Sequence, residues 1–272
     1  MLKRTVSAVV LLPLLIFLIV KGGLPLKIAI AVLSFIGQHE FYRAFSGKNR
    51  PEHIIGYAFT AVYLIFMKQI IFGSNIFNIF VAFFLLGMLM YLVVFHAKTN
   101  IEEIFVTFFG FFYVTFLISH IYLTRDFTNG QFFVWLIFLC AFGCDTGAYL
   151  VGMTMGKHKL IPDLSPKKTI EGSIGGIVTA TVLCLIFAVV VNRKFTISGV
   201  NPLLLCFLTG LIGSVLSQIG DLAASAMKRY TGIKDFGNVI PGHGGILDRF
   251  DSVLFTAPAV YYLMVFLSEF TL

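Results

Sequence analysis

Residues 202–228, PLLLCFLTGLIGSVLSQIGDLAASAMK, form an apolar segment long enough to cross a bilayer as a helix. Polar side chains recur within it at intervals of three or four residues, which places them along one face of that helix. They are Ser214, Ser217, Asp221, Ser225 and Lys228. A polar stripe on an apolar helix has to face protein or a water-filled cavity rather than lipid. This stretch therefore predicts a membrane protein with an internal polar site.

The composition extends this prediction to the whole chain. Of the 272 residues, 58% are hydrophobic and only 12% are charged, and the mean hydropathy is +0.94. Soluble domains are about a quarter charged, so the sequence predicts an all-α, polytopic integral membrane protein. About nine segments are long enough to be transmembrane helices: residues 5–21, 25–45, 53–72, 75–96, 101–124, 130–151, 172–192, 202–228 and 250–270. No small-residue cleavage site follows the first segment, so we expect it to be retained.

The Lys and Arg residues indicate how these helices are oriented. With the N-terminus in the cytoplasm, fourteen of the 20 basic residues fall on the inner side, which is the bias that the positive-inside rule describes. We therefore expect a multi-pass protein of the cell's inner (plasma) membrane, with the polar loops 152–171 and 229–249 in the cytoplasm. The net charge of +7 is explained by this topology and by attraction to anionic membrane lipid, so it does not indicate a nucleic-acid partner.

A second polar feature, residues 225–251, SAMKRYTGIKDFGNVIPGHGGILDRFD, continues the striped helix. It contains four cations, three carboxylates, one histidine and five glycines: Lys228, Arg229, Lys234, Arg249, Asp235, Asp248, Asp251, His243, Gly232, Gly237, Gly242, Gly244 and Gly245. Glycines permit tight turns and close approach to a ligand, and interleaved Lys and Asp suit a polyanion that shares its charge with a metal ion. An ordinary cytoplasmic loop needs cations but not three Asp. The stretch predicts a phosphate and metal site.

A carboxylate also interrupts the sixth apolar segment. An ionised Asp in the lipid-exposed centre of a helix costs about 2.5–3.5 kcal/mol, so Asp145 should face protein or a cavity. Asp221 lies at a similar depth in the striped helix, and Asp248 precedes the last apolar segment. These three carboxylates can converge on one cation. Mg²⁺ prefers carboxylate, water and phosphate oxygens, and a nucleoside triphosphate would complete its shell.

The loop after Asp145 gives a weaker signal. It contains Gly156-Lys157-His158-Lys159 and then residues 165–172, SPKKTIEG. Glycine followed by lysines and hydroxyls is typical of phosphate-binding loops, but no Gly-Lys-Ser/Thr completes a Walker motif. Ser165 or Thr169 would serve equally well as the cap of the following helix. Both interpretations remain open at this point.

Residues 225–251 also resemble the signature of the phosphatidate cytidylyltransferases, the CDP-diacylglycerol synthases. That signature combines Ser, Lys-Arg, Lys-Asp, a small residue, Pro-x-His-Gly-Gly and Asp-Arg-x-Asp at fixed spacing, and so many fixed positions make it highly specific. The matching residues are Ser225, Lys228, Arg229, Lys234, Asp235, Gly237, Pro241, His243, Gly244, Gly245, Asp248, Arg249 and Asp251. The SPKKTIEG run and residues 145–157 resemble family motifs too, with Ile170 where an aromatic residue is usual.

The resemblance implies an activity and an organisation. The activity is transfer of a cytidylyl group from CTP to phosphatidate, giving CDP-diacylglycerol and pyrophosphate for phospholipid biosynthesis. Residues 1–128 would form a scaffold of transmembrane helices, and residues 129–272 would form the catalytic region. The family also implies dependence on Mg²⁺, is compatible with a second cation, and often forms a homodimer. CTP is expected from the cytoplasm and phosphatidate from the inner leaflet.

Individual roles follow from the pattern and the resemblance together. The expected metal ligands are Asp221, Asp248 and Asp145. The further catalytic candidates are Lys228, Arg229, Lys234, Asp235, His243, Arg249 and Asp251. The cations among them would neutralise phosphate oxygens, and His243 would orient a phosphate or a carboxylate. The expected substrate-binding residues are Ser165, Lys167, Lys168, Thr169, Glu171, Ser225, Gly244 and Gly245.

Two other classes of protein explain part of the pattern. A secondary transporter or channel would also place Asp145 and Asp221 inside the membrane, but its polar residues should line a path through both leaflets, with inverted repeats. Another CTP- or polyprenol-dependent membrane kinase or transferase is closer in chemistry and would differ in the lipid that it accepts. His39 and Glu40, near the cytoplasmic end of the second segment, could serve a site, but a snorkelling or helix-end role is favoured.

Overall fold

The computed structural model describes residues 2–47, 52–73, 75–192, 201–240, 242 and 244–269. Its helices are α1 (Leu2–Lys21), α2 (Gly23–Phe45), α3 (His53–Ile65), α4 (Met67–Phe72), α5 (Ile76–Val94), α6 (Ile101–Gly110), α7 (Leu117–Asp126), α8 (Gly130–Met155), α9 (Ile170–Asn192), α10 (Pro202–Leu208), α11 (Ser214–Thr231) and α12 (Leu247–Glu269). Two π-helical turns, Phe111–Phe116 and Thr209–Gly213, join α6 to α7 and α10 to α11. The all-α class is confirmed.

The predicted number of membrane crossings is not confirmed, although all nine predicted segments contain helix. Within the described ranges, six helical stretches are long and apolar enough to cross a bilayer. They are Ile76–Val94, Ile101–Asp126, Gly130–Met155, Ile170–Val191, Pro202–Thr231 and Leu247–Ser268. The first three segments do not meet this measure. The apolar stretch of the first is Leu11–Lys21, α3 has only 13 residues, and α2 contains Lys27, Gln38 and Glu40.

The outward face of α9 shows why this fold belongs in a bilayer. Ile174, Val178 and Ile186 are exposed along one side of the helix, whereas Ala180 and Ala188 on the other side are buried. Soluble monomers rarely expose a continuous apolar face of this kind. Lipid accepts it, because the helix satisfies its own backbone hydrogen bonds. The protein is therefore a polytopic membrane protein.

Small residues allow α8 and α9 to pack closely. A Cβ atom added to Gly147 would lie 2.4 Å from Oγ1 of Thr179, and one added to Gly175 would lie 2.5 Å from the side chain of Val151. Close backbone approach through small residues is how membrane helices commonly associate. The contact fixes the position of Asp145, on α8, relative to the start of α9.

Buried hydrogen bonds join α2, α3 and α6. The side-chain amide of Gln38 donates to the hydroxyl of Tyr42 at 2.7 Å, and that hydroxyl donates to the carbonyl oxygen of Thr107 at 3.0 Å. The hydroxyl of Thr60 donates to the side-chain oxygen of Gln38 at 2.7 Å. Because the polar groups buried in this network are satisfied by one another, the network stabilises the packing of α2 against α3 and α6.

The opposite end of α2 lies near a cluster of charged side chains. Arg125, at the end of α7, donates from Nε to the carbonyl oxygen of Ile19 at 2.8 Å, close to the end of α1. Lys68 forms an ion pair with Asp126 at 2.6 Å. With a cytoplasmic N-terminus, the predicted segments 53–72 and 101–124 both end on the outer side of the membrane. Lys68 and Arg125 lie at those ends, and the structure places them at one end of the helices.

A short hairpin occupies much of the first predicted polar loop. Strands β1 (Lys159–Ile161) and β2 (Ser165–Thr169) pair antiparallel, and the hydroxyl of Thr169 accepts a hydrogen bond from the N–H of Gly172 at 3.1 Å. Thr169 therefore caps α9, as one of the two open interpretations predicts. The predicted bounds of both loops are too wide, because α8 and α11 continue into them and α9 and α12 begin before they end.

Candidate active site

A cavity of about 420 Å³ lies between α8, β2, α9 and α11. Five of the predicted site residues line it: Asp145, Lys167, Lys168, Thr169 and Asp221. Ala148, Tyr149 and Met153 supply apolar surface on the α8 side. The cavity thus combines carboxylates and ammonium groups with an apolar wall.

The centre of the cavity is an ion pair between β2 and α11. Nζ of Lys168 contacts Oδ2 of Asp221, and the two side chains are 27% and 30% exposed. A pair that is only partly screened by water interacts more strongly than one at the open surface. The pair brings the SPKKTIEG motif and the polar stripe of α11 to one point.

Two further carboxylates lie near this ion pair. Asp145 and Asp251 are both close enough to Asp221 to repel it electrostatically, and Lys168 and Arg249 offset part of the charge at Asp145. In the part of the chain that the structure describes, no group of three or more His, Cys, Asp or Glu side chains is arranged to hold a metal ion alone. Mg²⁺ is usually bound by one or two carboxylates together with water and substrate phosphates. Asp145 and Asp221, which line one cavity, fit that requirement.

Asp248 is buried and is engaged by groups of the protein itself. Its Oδ1 accepts a hydrogen bond from Nζ of Lys228 at 3.0 Å, while Oδ2 accepts from the backbone N–H groups of Phe236 at 2.8 Å and Gly245 at 3.0 Å. A metal ion at Oδ1 would compete with the ammonium group of Lys228, so metal binding by Asp248 stays a prediction. The N–H of Gly245, expected to approach a phosphate, is already bonded.

Glycines shape the loop between α11 and α12. Gly232 ends α11 with φ +75°, and Gly242 and Gly244 have φ +80° and +86°, a region that side chains disfavour. The N–H of Ile240 donates to the carbonyl oxygen of Gly244 at 2.9 Å, which closes a tight turn. His243 lies outside the described residues, so its role stays a prediction.

Helix α2 contributes to this region a residue for which the sequence favours a different role. Glu40 is only 1% exposed, and its carboxylate accepts hydrogen bonds from the backbone N–H groups of Ile246 and Leu247, both at 3.0 Å. Of the two interpretations of Glu40, these contacts support a role at the site rather than the favoured helix-end role. Ile246 lies 206 positions away along the chain, and a contact at that separation leaves no local pattern in the sequence.

Glu171 orders the exposed loop before β1. Its carboxylate accepts hydrogen bonds from the backbone N–H groups of Lys157 at 3.1 Å and His158 at 3.2 Å, and it pairs with the His158 ring at 2.6 Å. These contacts give Glu171 a structural role. Its predicted role in substrate binding remains a prediction.

The other predicted residues lie around the site without being drawn into the cavity. Exposed residues among them are Arg229, Lys234, Asp235 and Arg249. Ser165 and Ser225 are half-buried. The structure therefore brings the Asp145, Asp221 and Lys168 side chains together. The Lys228–Asp248 pair joins the end of α11 to the start of α12, and four charged residues lie at the surface.

Gln218 lines the cavity and was missed by the sequence analysis. Its side-chain nitrogen donates to the carbonyl oxygen of Ser173 at 3.0 Å, and its side-chain oxygen accepts from the hydroxyl of Ser173. It lies beside the polar stripe of α11, next to buried Ser217. A polar amide inside an apolar segment was the available signal.

Comparisons with known proteins identify the family. Residues 2–267 match the cytidylyltransferase family. A phosphatidate cytidylyltransferase of Bacillus subtilis is 33% identical over 271 residues, 98% of each chain. Proteins of the same name are 43% identical over 153 residues in Staphylococcus haemolyticus, 56% of each chain, and 44% identical over 144 residues in Staphylococcus aureus strain COL, 53% of this chain and 52% of that one. The chain belongs to the cytidylyltransferase family.

Proposed function

We propose that this protein transfers the cytidylyl group of CTP to phosphatidate, forming CDP-diacylglycerol and pyrophosphate. The main structural support is the cavity in which Lys168, Asp221 and Asp145 meet at the end of apolar helices. Ionisable groups inside a membrane protein are costly and are retained mainly for function. The full-length similarity to a phosphatidate cytidylyltransferase supports the choice of nucleotide and lipid.

In the proposed reaction, an oxygen of the phosphatidate phosphate attacks the α-phosphorus of CTP. A new phosphorus–oxygen bond forms, and the bond from the α-phosphorus to the bridging oxygen breaks. The electron pair of that bond leaves with pyrophosphate. Because the attacking phosphate is already anionic at neutral pH, no strong general base is needed. Catalysis then depends on in-line positioning and charge neutralisation.

Cationic side chains would provide much of this neutralisation. We assign Lys167 and Lys168, which line the cavity, to phosphate oxygens inside it. Arg229, Lys234 and Arg249, which are exposed around the loop, are assigned to the outer phosphates. Fixed donors aimed at developing negative charge stabilise the transition state without further reorganisation.

Asp145 and Asp221 are the proposed ligands of Mg²⁺, with Asp248 and Asp251 as neighbouring candidates. Mg²⁺ held by these carboxylates would supply positive charge to offset the charge that develops on the pyrophosphate leaving group. The ammonium group of Lys168 already contacts Asp221, so the chain itself holds one cationic group at the carboxylate. A second cation at the site also stays a proposal.

The site is proposed to face the cytoplasm and to receive phosphatidate from the inner leaflet. Fourteen of the 20 Lys and Arg residues fall on the side of the polar loops in the predicted topology, which favours this orientation. CTP is soluble and phosphatidate is a membrane lipid, so a cavity near the membrane surface serves both. A homodimer, implied by the family resemblance, is likewise a proposal.

The decisive experiment is turnover of radiolabelled CTP with phosphatidate by the purified protein in detergent, with Mg²⁺ or with EDTA. We expect Mg²⁺-dependent formation of CDP-diacylglycerol that is lost in Asp221→Asn. Asp163→Asn is the matched control, because Asp163 is an exposed carboxylate in the hairpin turn outside the cavity lining. Its activity should equal that of the unchanged protein.

Two outcomes would contradict the proposal. If CTP is consumed only with another lipid, the protein is still a CTP-dependent transferase, but phosphatidate is not its substrate. The absence of any nucleotide reaction with any lipid, in protein shown to be folded, would favour ion transport through the intramembrane carboxylates.

A further inference from the structure

The N-terminus of α12 is occupied by a carboxylate from the N-terminal half of the chain. Oε1 of Glu40 accepts the N–H of Ile246 and Oε2 accepts the N–H of Leu247, each at 3.0 Å. The first N–H groups of a helix have no partner within the helix, and the positive end of the helix dipole favours an anion. Glu40 satisfies both conditions, so these two N–H groups are not available to a substrate phosphate.

The loop also packs directly on this carboxylate. A Cβ atom at Gly237 would lie 2.2 Å from Oε1 of Glu40, and one at Gly245 would lie 2.5 Å from its two carboxylate oxygens. Neither glycine is among the described residues with positive φ. A side chain at either position would therefore clash with the carboxylate of Glu40, whereas the backbone conformation itself would allow one.

The segment at Phe236 is bonded on both sides. Its carbonyl oxygen accepts a hydrogen bond from Nη2 of Arg43, one turn along α2 from Glu40, at 3.0 Å. Its N–H donates to Oδ2 of Asp248, which also accepts the N–H of Gly245. The loop is thus held between α2 and Asp248.

We propose that Glu40 is a positioning residue for the cytidylyl transfer. By binding the first turn of α12, it sets the location of Asp248, and through Asp248 that of the ammonium group of Lys228. It touches no substrate itself. The proposal rests on the proposed function, and it predicts that α2 takes part in catalysis indirectly, through the carboxylate of Glu40.

The alternative is that Glu40 only stabilises the fold, and Gln38 provides the matched control. Gln38 lies two residues away on the same helix, is also buried, and bonds Tyr42 and Thr60 rather than the loop. Glu40→Gln keeps the size of the side chain but presents an amide N–H group to one of two backbone N–H groups. Gln38→Leu removes buried hydrogen bonds from α2 without changing the loop.

The test is steady-state kinetics of both variants in the CTP and phosphatidate assay, with rates corrected for the folded fraction. We expect Glu40→Gln to lower kcat on the order of a hundredfold, since a displacement of about 1 Å in a site has that effect. KM for CTP and phosphatidate should change by only about threefold, as for interactions made mainly in the transition state. Gln38→Leu should leave kcat of the folded protein unchanged. Wild-type kcat in folded Glu40→Gln overturns the proposal.

Hydrogen exchange of the unchanged protein gives a test that does not depend on a variant folding. The amides of Ile246 and Leu247 should exchange far more slowly than those of exposed Lys234 and Asp235 in the same loop. Equal rates would show that Glu40 does not hold α12 in solution and would overturn the proposal. Activity of the unchanged protein in the same assay tests the proposed function separately, so failure of one is distinguishable from failure of the other.

Discussion

Lys168, the fourth residue of β2, forms an ion pair with Asp221 of α11. The two side chains come from motifs that are 53 positions apart by residue number, and both line the same cavity. The pair holds the hairpin against the polar stripe, so the cavity depends on a tertiary contact rather than on either motif alone.

Loss of the Lys168 ammonium group should strongly reduce turnover. In Lys168→Gln we expect kcat to fall by roughly 10²-fold or more, because a preorganised donor at developing negative charge has an effect of that size. The measurement is formation of CDP-diacylglycerol at saturating CTP and phosphatidate.

Lys159→Gln provides the control for the Lys168 variant. Lys159 is exposed on β1 and is not part of the cavity lining, so the same loss of charge should leave kcat near that of the unchanged protein. Equal losses in both variants would mean that net charge, rather than the cavity position of Lys168, governs the rate.

Asp221 and Asp248 should differ in what their substitution does to stability. Asp248→Asn removes the charge that pairs with Lys228 in a site where the Asp248 side chain is 3% exposed, and we expect the free energy of unfolding to fall by about 2–3 kcal/mol. Asp221→Asn affects a more exposed pair and should cost about 1 kcal/mol or less. Unfolding in detergent followed by circular dichroism measures both. A larger loss for Asp221→Asn would contradict this assignment.

The features that could be predicted from the sequence are those with local patterns. Hydropathy predicts the helices, the spacing of Asp221, Ser225 and Lys228 predicts the polar face of α11, and Asp145 signals a cavity because a lone carboxylate is costly in lipid. Asp145 and Asp221 do line one cavity, whereas Ser225 and Lys228 are not part of its lining. The C-terminal motifs also indicate the family, because their many fixed positions make a chance match rare.

The features that could not be predicted depend on contacts between distant segments. Nothing near Glu40 in the sequence shows that its carboxylate bonds Ile246 and Leu247. The hairpin was missed because β1 has only three residues, too few for a period-two pattern. Gly245 suggested a phosphate contact, whereas in the structure its N–H bonds Asp248 and its missing side chain makes room for Glu40.

Removal of the α9 cap should separate the two roles open for Thr169. Its hydroxyl accepts the N–H of Gly172, so Thr169→Ala should lower the free energy of unfolding by about 1 kcal/mol. Thr169→Ser keeps the hydroxyl and should retain most of that stability. If Thr169→Ser loses activity while its stability is unchanged, the methyl group of Thr169 contributes to the cavity, and capping of α9 is not its only role.

The contact between Gly237 and Glu40 should appear as a coupling energy. Gly237→Ala should destabilise the protein, because the new Cβ would lie 2.2 Å from Oε1 of Glu40. Glu40→Asp withdraws the carboxylate by about 1.5 Å, so Gly237→Ala should cost less in that background, with a coupling of about 0.5–3 kcal/mol in unfolding measurements. Gly232→Ala is the control: Gly232 has φ +75° and open space around it, so its cost should add to that of Glu40→Asp. Additive costs for Gly237→Ala as well would refute the contact.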